Sequence, residues 1–107
     1  MDEADAREQM RRIESSLQQV LKQKQHFSAQ QSETRSALEQ VRASEVAYSI
    51  VANIMIRKNP TVLAESLEEQ AELFDARLEA LEKQEKRLSE QLARIQERVL
   101  KEGDDHE

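Results

Sequence analysis

The sequence predicts a mostly α-helical chain: a long antiparallel two-helix coiled coil with a central β-hairpin that joins an intersubunit sheet or barrel. Three observations carry that expectation. Two stretches of equal length repeat apolar residues at steps of three and four, with mainly charged residues and glutamine between them. The stretch that joins them, Ala43–Ser66, breaks this pattern with a short β-branched run closed by Asn59-Pro60. The composition is 36 % charged and 3 % aromatic, with one Gly and one Pro in 107 residues. That is too little large apolar material for an ordinary globular core, and it suits long helices.

The first helix is expected over about residues 4–43. From Ala6 to Arg42 there is neither Gly nor Pro. Stepping by three and four gives Met10, Ile13, Leu17, Val20, Lys24, Phe27, Gln31, Thr34, Leu38 and Val41, of which seven are apolar. This is a heptad seam sustained over more than four heptads. At about 1.5 Å per residue it spans roughly 47 Å. The glutamine-rich run Gln18–Gln31 keeps the heptad, so it reads as helix surface rather than disorder.

The middle stretch reads as a hairpin over about residues 46–57. Val46, Tyr48, Ile50, Val51, Ile54 and Ile56 are β-branched or aromatic and suit a pleated strand. Strands are expected at roughly Val46–Val51 and Ile54–Arg57, with Ala52-Asn53 as a two-residue turn. The alternative is a short third helix, because Ala47, Ile50 or Val51, and Ile54 also fit a helical stripe. A two-residue turn sets Val51 opposite Ile54 and Ile50 opposite Met55, leaving apolar side chains on both faces of the ribbon. An isolated hairpin is marginal in water and its edges carry unpaired backbone groups. Other chains adding strands, closing a sheet or barrel, would supply the missing cover. Val46, Tyr48, Ile50, Val51, Ile54, Met55 and Ile56 are therefore the expected oligomerisation residues.

The second helix is expected over 60–102. Asn59 can cap it, and Pro60 is tolerated at the first helical position. The same stepping gives Leu67, Ala71, Phe74, Leu78, Leu81, Glu85, Leu88, Leu92, Ile95 and Val99, nine of them apolar. Gly103 marks the expected end, with 103–107 as a frayed tail. The whole chain, 1–107, reads as a single domain.

Two equal seams joined by a compact connector should fold back antiparallel. Pairing positions whose numbers sum to about 108 matches Met10 with Val99, Ile13 with Ile95, Leu17 with Leu92, and Val20 with Leu88. Phe27 then meets Leu81, Thr34 meets Phe74, and Leu38 meets Ala71. The same register puts Lys24 opposite Glu85, the only charged residues in either seam. A slip of one heptad would bury each charge against apolar side chains. The pair therefore reads as a register lock. If desolvated, removing Glu85 alone should cost a few kcal/mol. The alternative is that both side chains snorkel to water.

The same residues exclude several classes of function. With no cysteine there are no disulfides and no thiolate metal sites, which fits a reducing intracellular setting. No apolar run approaches the roughly 18 residues that span a bilayer. The N-terminus MDEADAREQM is acidic and polar, unlike a secretory signal. A cytoplasmic protein without a membrane partner is expected. Residues 1–44 carry seven basic and seven acidic groups, whereas 67–107 carry seven basic and thirteen acidic. Such an acidic chain lacks the positive footprint of a phosphate-binding surface, so nucleic acid is not an expected partner. No catalytic constellation appears, so no enzyme is expected. His26 and His106 are far apart, Tyr48 has no acid–base neighbours arranged for catalysis, and no Gly-rich loop could cradle a phosphate. Glu102, Asp104, Asp105, His106 and Glu107 could weakly hold a cation but read as a solvated acidic end. No cofactor or metal is expected.

Helix, β-hairpin, helix, with one long antiparallel coiled coil, resembles the β-type subunit family of prefoldin over about Leu17 to Leu100. Gln18–Gln25, QQVLKQKQ, is similar to that family's Gln/Lys-rich first helix. Val46-Ala47-Tyr48 through Ile54-Met55-Ile56-Arg57-Lys58 looks like its "v-Y-k-x-v-G-n-x-l-v-k" hairpin. Leu81-Glu82-Lys83-Gln84-Glu85-Lys86-Arg87 resembles its R-Q-E stretch. A single hairpin matches the β-type rather than the α-type subunit, which has two. Two features depart from the pattern. The family's turn glycine is Ala52 here, which makes a primed turn with φ > 0 less comfortable. The segment before Val46 is short, which tightens the first corner.

The resemblance implies an ATP-independent molecular chaperone. Its hexamer would hold two α-type and four β-type subunits, their hairpins joined in a β-barrel from which six coiled coils project. It further implies that unfolded client proteins bind at the distal tips and pass to a group II chaperonin. In this chain the implied tip contacts are Met1, Ala4, Ala6, Met10, Val99 and Leu100. Many weak contacts in one assembly would give avidity without selecting one sequence. The rival expectation is a prefoldin-like structural adaptor subunit of another multi-subunit complex, without client-holding activity.

Overall fold

The computed structural model describes residues 2–104. In chain order these form α1 (Glu3–Arg42), β1 (Ala47–Val51), β2 (Ile54–Lys58) and α2 (Pro60–Asp104). They make two compact units, Met1–Gln25 with Glu79–Glu107, and His26–Leu78.

α1 starts at a side-chain cap. The Asp2 carboxylate accepts the Ala4 N–H at 3.1 Å, and the Asp2 carbonyl accepts the Ala6 N–H at 3.0 Å. These bonds satisfy donors that a helix start leaves open. Glu3 and Asp5 in the first turn and Arg42 in the last complement the helix dipole. The helix closes on a tighter turn, the Ser44 N–H reaching the Val41 carbonyl at 3.2 Å. The Ser44 hydroxyl donates to the Gln40 carbonyl at 2.7 Å and covers a second terminal acceptor. Four residues, 43–46, then lead into β1.

The hairpin takes the expected register, with Val51 paired to Ile54 and Ile50 to Met55; the third helix does not form. Ala52 and Asn53 both adopt positive φ, 48° and 66°. Left-handed backbone at both central residues is the mark of a type I′ turn, whose twist matches that of the strands. Asn53 tolerates this conformation, whereas Ala52 meets a penalty of about 1–2 kcal/mol from its Cβ. Strand twist therefore overrides the local preference of Ala52.

Only Asn59 separates β2 from α2. Its side-chain carbonyl accepts the Thr61 N–H at 2.9 Å, and its backbone carbonyl accepts the Leu63 N–H at 3.0 Å. Pro60 occupies the first helical position, where its missing N–H leaves nothing unsatisfied. α2 continues through Gly103 to Asp104.

Each unit covers its own share of the heptad seam. In the first, Val20 and Leu81 are buried, while Met10, Ile13, Leu17, Leu88, Leu92, Ile95 and Val99 are half-buried. In the second, Leu38, Ala71 and Thr34 are buried, and Phe27, Gln31, Val41, Leu67, Phe74 and Leu78 are half-buried. Thr34 meets its hydrogen-bonding need within α1, donating to the Gln30 carbonyl at 2.8 Å. The Phe27 and Phe74 rings lie 6.1 Å apart, and the Arg77 guanidinium sits 5.3 Å from the Phe27 centroid. In this second unit the helices run antiparallel: Arg35 reaches Asp75 at 2.6 Å and Arg42 reaches Glu68 at 3.3 Å.

Candidate functional site

Among the described residues, most of the exposed large apolar side chains cluster at the hairpin, and its register sets how they face. Facing residues in an antiparallel pair point to the same side. Tyr48 with Arg57 and Ile50 with Met55 therefore share one face; Ala47 with Lys58, Ser49 with Ile56, and Val51 with Ile54 share the other. Ala47 is buried and Ser49 half-buried, so the second face is partly covered at its helix-proximal end. The first face is open. Val46, Tyr48, Ile50, Val51, Ile54, Met55 and Ile56 all remain exposed, from 40 % at Ile56 to 71 % at Ile50.

The sheet has two strands only, so among the described residues neither outer edge has a strand partner. Clustered apolar side chains beside open backbone edges can do one thing well, which is to accept further strands.

Lys24 and Glu85 meet within the first unit. The Lys24 ammonium donates to the Glu85 carboxylate at 3.2 Å. Their side chains keep 25 % and 38 % exposure, so water still screens both charges. An ion pair of this kind contributes on the order of 0–1 kcal/mol, well below the cost attached to a desolvated pair.

The residues expected at the tip are treated unevenly. Ala4 and Leu100 are exposed, Met10 and Val99 half-buried, and Ala6 is 2 % exposed. Ala6 thus serves helix packing and offers no surface to a ligand. Met1 lies outside the described residues, as do Asp105, His106 and Glu107 of the acidic end. Among the described residues no group of His, Cys, Asp and Glu is gathered to hold a metal. No helix there is long and apolar enough to cross a membrane.

Heptad spacing does not mark the polar contacts that flank the seam. Asp75 accepts from both the Gln31 amide and the Arg35 guanidinium, and Glu68 accepts from Arg42. The position numbers of Arg35–Asp75 and Arg42–Glu68 each sum to 110, close to the seam's own rule. The signal was present beside the seam, in charges of opposite sign.

No family model matches the chain. Individual proteins do. It is 32 % identical over 94 residues to the prefoldin subunit beta of Thermococcus onnurineus, covering 85 % of this chain and 81 % of that one. It is 31 % identical over 93 residues to the prefoldin subunit beta of Pyrobaculum islandicum, covering 84 % and 74 %. The crystal structure of the prefoldin beta subunit from Thermococcus strain KS-1 superposes with a TM-score of 0.85 at 27 % identity, over 90 % of this chain and 87 % of that one. Likeness of sequence over most of both chains, on the same succession of helix, hairpin and helix, places this chain in the prefoldin beta-subunit family of non-catalytic chaperone subunits.

Proposed function

We propose that this chain is the β-type subunit of an ATP-independent holding chaperone of the cytoplasm. Its hairpin joins those of an α-type subunit and further β-type copies in a β-barrel, two α and four β in all. The helix pairs grip unfolded polypeptides at their free ends and hand them to a group II chaperonin. Ala4, Met10, Val99 and Leu100, together with Met1, supply the apolar contacts of that grip. Lys24 and Glu85 keep the helices in register as the tips engage clients.

One observation carries this reading. Six large apolar side chains stand exposed on a two-stranded ribbon whose outer edges have no strand partner among the described residues, and Val46 stands exposed just before it. A ribbon of this kind is not stable alone and needs further strands. Weak contacts at several tips on one platform then combine through effective concentration.

The test is co-expression with an α-type subunit, followed by sedimentation and an aggregation assay on a denatured protein without nucleotide. A large complex that suppresses aggregation, and releases its client to a group II chaperonin, is the expected result. A complex of full size without protection would leave a structural adaptor in place of a chaperone. A chain that stays monomeric at micromolar concentration would remove the platform itself.

A further inference from the structure

Within the first unit, α1 and α2 border a groove of about 390 Å³. Its apolar lining is Ile13 and Ile95, seam partners left half-buried. Arg12, Arg94 and Arg98 surround them, and Gln9 and Gln91 complete the lining. No carboxylate takes part, although the segment 67–107 carries thirteen acidic groups against seven basic.

The ion pairs sharpen this contrast. Arg12 is held by Glu8 of its own helix at 2.8 Å. Among the described residues neither Arg94 nor Arg98 has an ion-pair partner. Four residues apart, they lie one turn from each other on the same face of α2, where like charges repel. Both guanidinia are solvent-exposed beside the apolar floor. With no ion pair among the described residues, they are open to a bound anion.

We propose that this groove docks an extended polypeptide segment in which an apolar side chain is flanked by carboxylates. The apolar side chain lies on Ile13 and Ile95, and its neighbouring carboxylates pair with Arg94 and Arg98. Guanidinium suits this role because its fork of N–H donors matches a carboxylate in two parallel bonds. Gln9 and Gln91 can donate to and accept from the segment's peptide groups. A polypeptide fits better than a nucleic acid. The chain's net charge of −6 repels a polyanion at long range, whereas a local carboxylate pair needs only the groove. The inference rests on the holding reading for the source of the segment, an unfolded client, and gives that client a chemistry: apolar with acidic flanks.

The experiment is fluorescence anisotropy on the full-length chain. The probe is a short labelled peptide with a central leucine–phenylalanine pair flanked by glutamates, compared with its glutamine isostere. The glutamate peptide should bind about tenfold more tightly, as charge-assisted bonds imply, and lose that margin at high salt. Arg94→Gln with Arg98→Gln should reduce it to the level of the glutamine peptide. Lys86→Gln with Arg87→Gln, which removes the same charge outside the groove, should leave it unchanged. Glutamine is a good helix former, and circular dichroism verifies that both variants keep their helices.

Equal affinity for the two peptides, or equal loss in the two double variants, would overturn the proposal. So would a single-stranded oligonucleotide that binds more tightly than the glutamate peptide and displaces it. Aggregation assays on the assembled complex separate this idea from the holding reading. Peptide discrimination without protection of any client removes the holding reading and leaves the groove standing. Protection that is full and equal for acidic and neutral clients in the Arg94→Gln, Arg98→Gln variant removes the groove alone.

Discussion

The hairpin and the seam carry the same kinds of apolar residue and treat them in opposite ways. Leu38 in the seam is 6 % exposed, whereas Ile50 in the hairpin is 71 % exposed. Both belong to the second unit, so the contrast lies in the elements and not in their surroundings. A helix satisfies its own backbone and needs only one partner stripe to cover its apolar face. A two-stranded ribbon leaves two edges and two faces open, and one partner helix pair cannot close all four. Apolar residues therefore stabilise the chain's own fold when placed at heptad spacing, and become surface for others when placed on the ribbon.

The largest effect should come from reversing the polarity of the ribbon. Ile54→Asp with Ile56→Asp places two charges in any sheet built on these strands, at a cost of several kcal/mol for each unpaired buried ion. Sedimentation with the partner subunit should show loss of assembly, while circular dichroism retains most of the helix. Normal assembly of this variant would mean that the ribbon is not the joining surface.

Next in size is a deletion in the seam. Leu38→Ala removes a buried side chain and should destabilise the chain by about 2–3 kcal/mol in denaturant unfolding. Leu73 is a leucine of the same unit at 63 % exposure. Leu73→Ala should change stability by less than about 0.5 kcal/mol, since exposed alanine loses no packing and favours helix. Similar costs at the two sites would erase the distinction between covered and open leucines.

A smaller gain is expected at the turn. Ala52→Gly relieves a positive φ that alanine resists, offset in part by the greater freedom of glycine in the unfolded chain. The net stabilisation should be about 0.5–1 kcal/mol, read from the thermal midpoint of the assembled protein. Ala52→Val, with a branched Cβ at the same angle, should move the midpoint downward.

Smallest is the effect of Glu85→Leu. With both side chains partly solvated, stranding Lys24 should cost less than about 1 kcal/mol in unfolding experiments. The double change to leucine at Lys24 and Glu85 should differ little from it. A loss of several kcal/mol in the single variant would show that the pair is shielded from water in solution.

Much of this molecule was legible in the order of its residues. Heptad spacing alone marked the positions from Met10 to Val41 and from Leu67 to Val99 that the structure withdraws from solvent. The reason is local: in a helix, spacing sets the face, whatever lies opposite. β-branched enrichment and the Asn59-Pro60 boundary placed the hairpin and the start of α2, because strand preference and capping act within a few residues. Other features depended on how elements pack. That Ala47 and Ser49 turn toward cover while Tyr48 and Ile50 face water follows from the seating of the ribbon, since its pattern is apolar on both sides. The partial solvation of Lys24 and Glu85 depends on the reach of two side chains across an interface, and the chain order names only their opposite signs. The positive φ of Ala52 was imposed by strand twist against the preference of alanine. The arginine groove exists only because two helices bring Arg12 beside Arg94 and Arg98, residues more than eighty positions apart. Period and propensity are written within a few residues of the chain; screening, facing and juxtaposition arise only when distant segments meet.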